Sequence, residues 1–299
     1  LQLKQLPASV IIVGGGVIGI EWASMLSDFG VEVVVIEYSK QILPTEDEEI
    51  ARELTRLLKR KRVKILTEAT VLPETLTKNG QVEVTVEHKG ERKTFTAEKM
   101  LVSVGRAANV NDIGLEHTNV QVGNGVIVTN EFYQTKDERI YAIGDCIGGM
   151  QLAHVASFEG IIAVEHIAKQ NPQPLNYEAV PKCVYSSPEI ASVGLTEKEA
   201  KEKGYQAKIG KFSFKVNGKA LVYGEANGFC KMVVDAENDD VLGIHLIGPQ
   251  VTNMISTGVL AKMFDASNLE MARIIHPHPT LSEVFGESAL NVYGQAIHL

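Results

Sequence analysis

Two short stretches of this chain combine residue types that can do chemistry. One is Ile275-His276-Pro277-His278-Pro279-Thr280-Leu281-Ser282-Glu283. The prolines remove backbone freedom and so fix where an imidazole points. Glu283 follows His278 by five residues, near enough for its carboxylate to hold a ring N–H and raise imidazole basicity, which is a base-plus-orienter arrangement for acid–base catalysis. Two other readings stay open. His276, His278 and Glu283 could ligate a metal, although His-x-His across prolines is not helical ligand spacing and no Cys or Asp completes a set. The run could also be a rigid loop with Ser282 capping the last helix.

The second stretch is Gly14-x-Gly16-x-x-Gly19. It follows an apolar run, Ser9–Val13, and precedes helical spacing of Ile18, Trp22, Met25, Leu26 and Phe29 that stops at Gly30. The next apolar run, Val31–Glu37, ends on a carboxylate 18 residues past Gly19. Strand, helix and strand make a βαβ unit with a right-handed crossover. In it Gly14 permits a tight turn, Gly16 lets the backbone approach a pyrophosphate, and Gly19 lets helix and strand pack closely. The phosphates would sit at the positive helix end. Glu37 would accept from the adenosine ribose hydroxyls and repel a 2′-phosphate, and no basic residue stands beside it before Lys40, so NAD is expected over NADP. The bland alternative is a glycine turn that only packs a structural βαβ. Glu21 either complements the helix dipole or meets the nicotinamide end.

The elements that must carry these stretches follow from patterning. Thr45 with Glu48 predicts a capping box opening a helix to about Arg60. Its basic end, Lys59–Lys64, reads as a solvated helix terminus. Residues 63–104 read as β-rich, with strands at Val63–Leu66 and Met100–Val104 and a hairpin signalled by Asn79-Gly80 before Val82, Val84 and Val86. A strand is expected at Arg139–Ile143 and a helix over Ala153–Lys169. Beyond the Pro-rich Asn171–Pro174, residues 178–248 predict alternating strands, and helices are expected at about 250–264 and 283–294. The chain has 299 residues, 29 Lys+Arg against 37 Asp+Glu, and a formal charge of −8. That length suggests about two compact units. With an isoelectric point near 5.6, nucleic acid and anionic membranes are not expected partners. No apolar run approaches a membrane span. Three widely spaced cysteines and no signal-peptide pattern lead us to expect a cytoplasmic location. The start at Leu1, within ten residues of a strand, reads as a cut chain.

Together these pieces resemble the pyridine nucleotide-disulfide oxidoreductases, the flavoprotein disulfide reductases, and within them the branch that oxidises dihydrolipoamide. The resemblance covers nearly the whole chain, and His-Pro-Thr-Leu-Ser-Glu is its most specific motif. It implies an α/β fold: a Rossmann-type NAD domain with a β-rich insertion at 1–106, the C-terminal part of a FAD domain at 107–176, and an α+β interface domain at 177–299. Gly14, Gly16, Gly19, Glu21 and Glu37 resemble the NAD site, with Glu21 placed near the nicotinamide. Val104-Gly105-Arg106 resembles the segment returning the chain to the FAD domain. Tyr141-Ala142-Ile143-Gly144-Asp145 is similar to the second FAD motif, whose Asp binds the ribityl chain. Leu152-Ala153-His154 with Glu159-Gly160 resembles the helix start beside the flavin. His278 and Glu283 fall on the catalytic dyad, which reaches the disulfide of the other subunit of a homodimer. The implied cofactors are NAD and FAD, and the implied partner is the lipoyl domain of a 2-oxoacid dehydrogenase acyltransferase. Glutathione and mercuric reductases share the architecture but usually prefer NADPH.

Departures from the family pattern set further expectations. Ala107-Ala108 and Val155 differ from the usual residues. The family's first FAD-binding βαβ and its Cys-x-x-x-x-Cys pair are not in this sequence: Cys146, Cys183 and Cys230 are 37 and 47 residues apart. Cys146 reads as a small buried hydrophobe. The chain is therefore expected to be amino-truncated, inactive alone towards lipoamide and weak in retaining FAD.

Overall fold

The computed structural model describes residues 3–78 and 80–298. They form a mixed α/β structure in two compact units, Leu1–Gly105 with Pro181–Leu299 and Arg106–Val180.

In the first unit, β1 (Ser9–Val13), α1 (Val17–Asp28) and β2 (Glu32–Ile36) make the expected βαβ, followed by α2 (Glu48–Arg60) and β3 (Lys64–Leu66). After β4 (Ala69–Lys78), β5 (Val82–His88) and β6 (Glu91–Ala97), β7 (Lys99–Val102) returns beside β1. The parallel sheet has the order β3-β2-β1-β7, and β4-β5-β6 form a separate antiparallel sheet. Asn79 of the expected hairpin lies outside the described residues. The parallel sheet is buried on both faces, as parallel strands of continuous apolar residues should be. Ile12, Val33 and Val35 pack with Ile20, Ala23, Leu54 and Leu58 of the helices. Ile11 and Ile36 pack with Val84, Val86 and Phe95 of the antiparallel insertion.

The second unit holds β8 (Val122–Gly123), β9 (Val126–Ile127) and α3 (Ala153–Ile167). The strand expected at Arg139–Ile143 is absent there, and only Tyr141 bridges to Gln134. Asp137 accounts for this: its backbone oxygen accepts from Ile140 and its carboxylate from Arg139, so the segment turns where a strand would run straight.

The first unit resumes with β10 (Lys182–Val184), β11 (Glu189–Gly194), α4 (Glu197–Glu202), β12 (Ala207–Ser213), α5 (Gly218–Tyr223), β13 (Phe229–Asp235) and β14 (Val241–Gly248). Four helices follow: α6 (Val251–Met254), α7 (Ser256–Met263), α8 (Asn268–Arg273) and α9 (Glu283–Val292). The antiparallel sheet has the order β10-β11-β14-β13-β12. Its strands do not alternate as expected. Every residue of β13 and β14 is buried, because this sheet too is covered on both faces. One face carries α6–α9 through Val251, Ile255, Ala261, Met271, Val284 and Phe285. The other gives Val184, Ile190, Phe229 and Ile247 to the core of the βαβ unit. The expected helix at 250–264 is broken at Ile255, and α8 is a further helix for which no expectation was set.

The N-terminus of α2 differs from the capping box expected of Thr45 and Glu48. Asp47 is the cap, accepting from the Glu49 N–H at 3.0 Å. A tertiary partner selects it. Lys231 on β13, 1% exposed, places Nζ 2.9 Å from Asp47 and 2.8 Å from Glu197 of α4. Burial works against the Lys231 charge, but the hydrogen bonds it donates to these carboxylates hold its pKa above the ordinary value. Hydrogen bonds from Lys201 and then Lys231 pull Glu197 down to about 2. Beside them His245, fully buried on β14, donates from Nε2 to the Leu195 carbonyl oxygen at 2.9 Å, and burial lowers its pKa.

Removing the lysine strands a buried carboxylate, so Lys231→Ala should cost about 3–5 kcal/mol in urea unfolding. The folded-state pKa of His245 is depressed, so the unfolded chain binds its proton first and stability falls as pH drops below the ordinary 6.5. The contribution of Glu197 is complete above its ordinary 4.5 and is lost as pH falls towards about 2. Urea midpoints from pH 8 to pH 3, measured for both proteins, check the loss and its direction.

Candidate functional site

The glycine turn is shaped by what each Cβ would meet. Gly14 has φ +105°, and a Cβ there would collide with the Ser103 carbonyl oxygen. A Cβ on Gly19 would collide with the Gly14 carbonyl oxygen, so helix and strand meet backbone to backbone. At Gly16 a Cβ would meet nothing within 4 Å, which leaves open space against the start of α1. The first-turn N–H groups of Val17, Ile18 and Gly19 have no carbonyl one turn earlier in the helix to bond, and they sit at its positive end. Ser103, directly after β7, closes the turn from below. Its Oγ donates to the Val13 and Gly14 carbonyl oxygens, both at 3.1 Å.

Glu37 is 7% exposed. Its carboxylate accepts from the Gly15 N–H at 2.5 Å and the Ser39 N–H at 2.6 Å. Each carboxylate oxygen keeps a further acceptor site, so the side chain that clamps the turn can also receive a hydroxyl donor. Glu21 is engaged elsewhere: it accepts from the Tyr185 N–H at 2.9 Å, tying α1 to the loop after β10. Ser24 does the same for the Ser187 N–H. Gly105, φ +133°, ends this half of the unit in a conformation suited to glycine, with nothing near its missing side chain.

In the second unit, Gly144 (φ +72°) opens a short turn over Gly144–Ile147 that carries Asp145. Buried Glu159 of α3 holds it, accepting from the Gly144 N–H at 2.6 Å and from the Tyr177 hydroxyl at 2.8 Å. The Tyr133 hydroxyl lies 3.2 Å from that of Tyr177. Burial and this shared network push the Tyr177 pKa far up, so it stays a donor. The Asp145 carboxylate lies 3.5 Å from the Arg106 guanidinium and remains 45% exposed. Ala153 and His154 are exposed in the first turn of α3. Cys146 is half-buried rather than buried, its thiol 3.1 Å from the Ile143 carbonyl oxygen.

Returning to the first unit, His278 Nδ1 is 2.9 Å from Glu283 Oε1. Glu283 Oε2 accepts from the Thr280 N–H at 2.8 Å. Burial opposes the Glu283 charge, but the Thr280 and His278 hydrogen bonds outweigh it and hold the carboxyl below its ordinary pKa. An ionised carboxylate only accepts, so Nδ1 of His278 carries the hydrogen and Nε2 faces outward on a side chain 72% exposed. Asn217, the cap of α5, donates to the Thr280 carbonyl oxygen and steadies the loop. His276 does not join this pair. Its ring stacks on Phe285, and burial lowers its pKa. Among the described residues no group of three His, Cys, Asp or Glu side chains could hold a metal. Ser282 does not cap α9 with its side chain, because its Oγ bonds the Thr280 hydroxyl at 3.0 Å.

Residue-level reading of the sequence missed Ser103, which bonds the distant Val13 and Gly14 carbonyl oxygens, Tyr177, which donates to the Glu159 carboxylate, and Thr280, whose N–H donates to Glu283. It also missed a second histidine–glutamate pair, His298 and Glu287 at 2.7 Å. The available signal was the spacing of Glu287, one turn after Glu283.

A family profile described as pyridine nucleotide-disulphide oxidoreductase matches residues 1–160, and that family's dimerisation domain matches residues 180–289. The chain belongs to the pyridine nucleotide-disulphide oxidoreductases. It is 61% identical over 299 residues to a dihydrolipoyl dehydrogenase of Bacillus subtilis, covering 100% of this chain and 63% of that protein. A dihydrolipoyl dehydrogenase of Zymomonas mobilis is 40% identical, with 100% and 64% covered. The fold resembles LpdA from Mycobacterium tuberculosis with a TM-score of 0.88 at 27% identity, covering 96% of this chain and 62% of that one. It also resembles the HOCl-induced flavoprotein disulfide reductase RclA of Escherichia coli, seen as a Cu(II) complex, with a TM-score of 0.89 at 26% identity and 96% and 65% covered. The chain thus spans about 63% of the length of the Bacillus subtilis relative. Among the described residues no helix is long and apolar enough to cross a membrane.

The two glycines make opposite demands. Gly19→Ala should destabilise by at least about 2 kcal/mol through overpacking. Gly16→Ala, at an ordinary φ of −72° and in open space, should cost less than about 1 kcal/mol. Thermal melts of the two variants check this.

Proposed function

We propose that these residues are the dinucleotide-binding and dimerising part of a dihydrolipoyl dehydrogenase, which oxidises dihydrolipoamide with FAD as relay and NAD as acceptor. The observation that carries the reading is the His278–Glu283 pair, with its imidazole exposed and its carboxylate pinned by Thr280. The identity to dihydrolipoyl dehydrogenases supports it. The segments 1–106, 107–176 and 177–299 would serve NAD, FAD and the homodimer interface respectively, and a cytoplasmic location fits three unpaired cysteines.

The residues present fit the two cofactors. Open space at Gly16, the unpaired first-turn amides of α1 and the carboxylate of Glu37 suit an NAD pyrophosphate and ribose. Glu21 would lie on the nicotinamide side. Asp145, Gly105, Ala153 and His154 would line the flavin, with Glu159 fixing the Asp145 turn. When bound, flavin supplies two-electron transfer between a dithiol and NAD. The protein's part is proton handling and position. His278 takes a thiol proton at Nε2 as the thiolate forms, and Glu283, kept ionised, holds Nδ1–H and stabilises the imidazolium. Glu37 disfavours a 2′-phosphate, which argues against a glutathione or mercuric reductase role. The lipoyl domain of a 2-oxoacid dehydrogenase acyltransferase would bring the substrate.

The cysteine spacing favours one qualification. With Cys146, Cys183 and Cys230 so far apart, the redox pair is not among these residues, and alone they would bind NAD and dimerise without turnover.

Fluorescence titration of this chain should show saturable NADH binding, with NADPH and Gly16→Ala each at least about tenfold weaker. Equal affinity for NADH and NADPH would remove Glu37 from the assignment. In a chimera completed with the remaining part of the Bacillus subtilis relative, His278→Gln should lower kcat for dihydrolipoamide by about 10²–10⁴. An unchanged kcat would take His278 out of the mechanism.

A further inference from the structure

Asn217 joins the start of α5 to the loop that carries His278. Its backbone belongs to the core: the N–H donates to the Phe214 carbonyl oxygen and the carbonyl accepts from the Leu221 N–H, both at 3.1 Å. The residue itself is buried, and Phe214 and Ala220 on either side are fully so. Its side chain is used at both ends. Oδ1 accepts from the Ala220 N–H at 2.9 Å and caps α5, while Nδ2 donates to the Thr280 carbonyl oxygen at 3.0 Å. The cap alone does not call for an amide, because Asp and Ser cap helices as well. What the amide adds is a donor on a second atom, which a carboxylate lacks.

Thr280 receives that donor and passes its position on. Asn217 holds its carbonyl, Glu283 Oε2 accepts from its N–H at 2.8 Å, and its hydroxyl donates to the Pro277 carbonyl oxygen at 2.8 Å. Glu283 in turn places its other oxygen 2.9 Å from His278 Nδ1. An unbroken series of hydrogen bonds therefore runs from the buried cap through Thr280 and Glu283 to the imidazole. Residues 276–280 belong to no strand or helix, so bonds of this kind set where their backbone runs. The start of α5 also flanks the ring: a Cβ on Gly218 would lie 3.9 Å from His278 Cε1 and 4.0 Å from Pro279 Cβ, ordinary contact distances. Asn217, Gly218, His278 and Glu283 line one cleft.

We propose that Asn217 is a positioning residue for the acid–base pair: the donor end of its amide holds Thr280, and through Thr280 it sets where Glu283 and His278 stand. This rests on the reading of His278 and Glu283 as that pair. Asn217 itself neither takes nor gives a proton. Without its donor end the Thr280 carbonyl loses the group that pins it, and the loop gains freedom that an encounter with a dithiol must then remove. The cost falls on kcat, because an imidazole out of line with the thiol loses proton transfer in the transition state while binding of the substrate is left intact.

Substitutions separate the two ends of the amide. Asn217→Asp and Asn217→Ser both keep a cap for α5 and remove the Nδ2 donor, whereas Asn217→Ala removes cap and donor together. Amide hydrogen exchange, followed by NMR in this 299-residue chain, reads each end: the Ala220 N–H reports the cap and the Thr280 N–H reports the loop. In the Asp and Ser variants Thr280 should exchange at least about tenfold faster than in the parent, with Ala220 within about threefold. In the completed enzyme the same two variants should lower kcat for dihydrolipoamide by about tenfold or more, with KM within about threefold. A residue that only stabilises α5 would give parent-like Thr280 exchange and kcat in Asp and Ser, and a loss confined to Ala. Thermal melts identify a variant that has not folded, and the other of the pair then decides. Unchanged Thr280 exchange overturns the link to the loop, and faster exchange with unchanged kcat overturns the positioning role. His278→Gln, measured beside them, keeps the two questions apart: if its kcat falls and theirs does not, the role of Asn217 fails and the catalytic assignment stands. If its kcat is unchanged, that assignment fails and the positioning role with it.

Discussion

A single buried cation holds the larger unit together. Lys231 sits on β13, one strand in from the edge of the antiparallel sheet, and its ammonium reaches Asp47 at the start of α2 and Glu197 at the start of α4. A lysine removed from water is costly unless its charge is met at close range. Here the carboxylates that meet it also begin helices, where negative charge is favoured by the peptide dipoles. Neither partner can move without exposing the other's charge to an apolar interior. The βαβ layer and the antiparallel sheet are therefore locked in register, and Val184, Ile190, Phe229 and Ile247 can complete the core around Ile12 and Val35. The glycine turn and the His278 loop are carried by this one body.

The loops with chemistry are held by a recurring device. A carboxylate rooted in a strand end or a helix reaches into a loop and accepts from its backbone N–H. Glu37 does so for Gly15 and Ser39, Glu159 for Gly144, Glu283 for Thr280 and Glu287 for Ile297. Charge-assisted bonds of this kind are short and stronger than neutral ones. They fix loop backbone that has no ladder of its own; Glu37 spends both oxygens on backbone N–H groups, whereas Glu159, Glu283 and Glu287 each give the second oxygen to a side chain. In Glu283 and Glu287 that second oxygen holds an imidazole, so one helix face orients two exposed nitrogens. Loop position and side-chain orientation are thus set by the same residue, which leaves the imidazole little freedom to lose on meeting a substrate.

Packing explains the glycines in the same physical terms. Gly14 and Gly19 are excluded from bearing a Cβ by backbone oxygens, whereas Gly16 faces open space. The first two are needed for the fold whether or not a dinucleotide is present. Only the third leaves room that the fold does not use, and that is where a ligand's phosphates would come.

Much of this was legible from sequence because it is local. The Gly14–Gly19 turn, the carboxylate ending β2, the helix stopped at Gly30 and the five-residue step from His278 to Glu283 depend on neighbours within a few positions, where steric limits and periodicity act directly. The misreadings lie where distant chain decides. Asp47 displaced Thr45 as the cap of α2 because Lys231, far along the chain, was there to meet it. Strands β13 and β14 lost their expected alternation because cores closed over both faces of their sheet. Arg139–Ile143 failed to become a strand because Asp137 turned the backbone. His298 reached Glu287 because the last turn folds back onto α9. A sequence states which groups are able to interact at short range; which far-apart charges and surfaces are desolvated together is settled only by packing, since the cost of burying each depends on what else is buried with it.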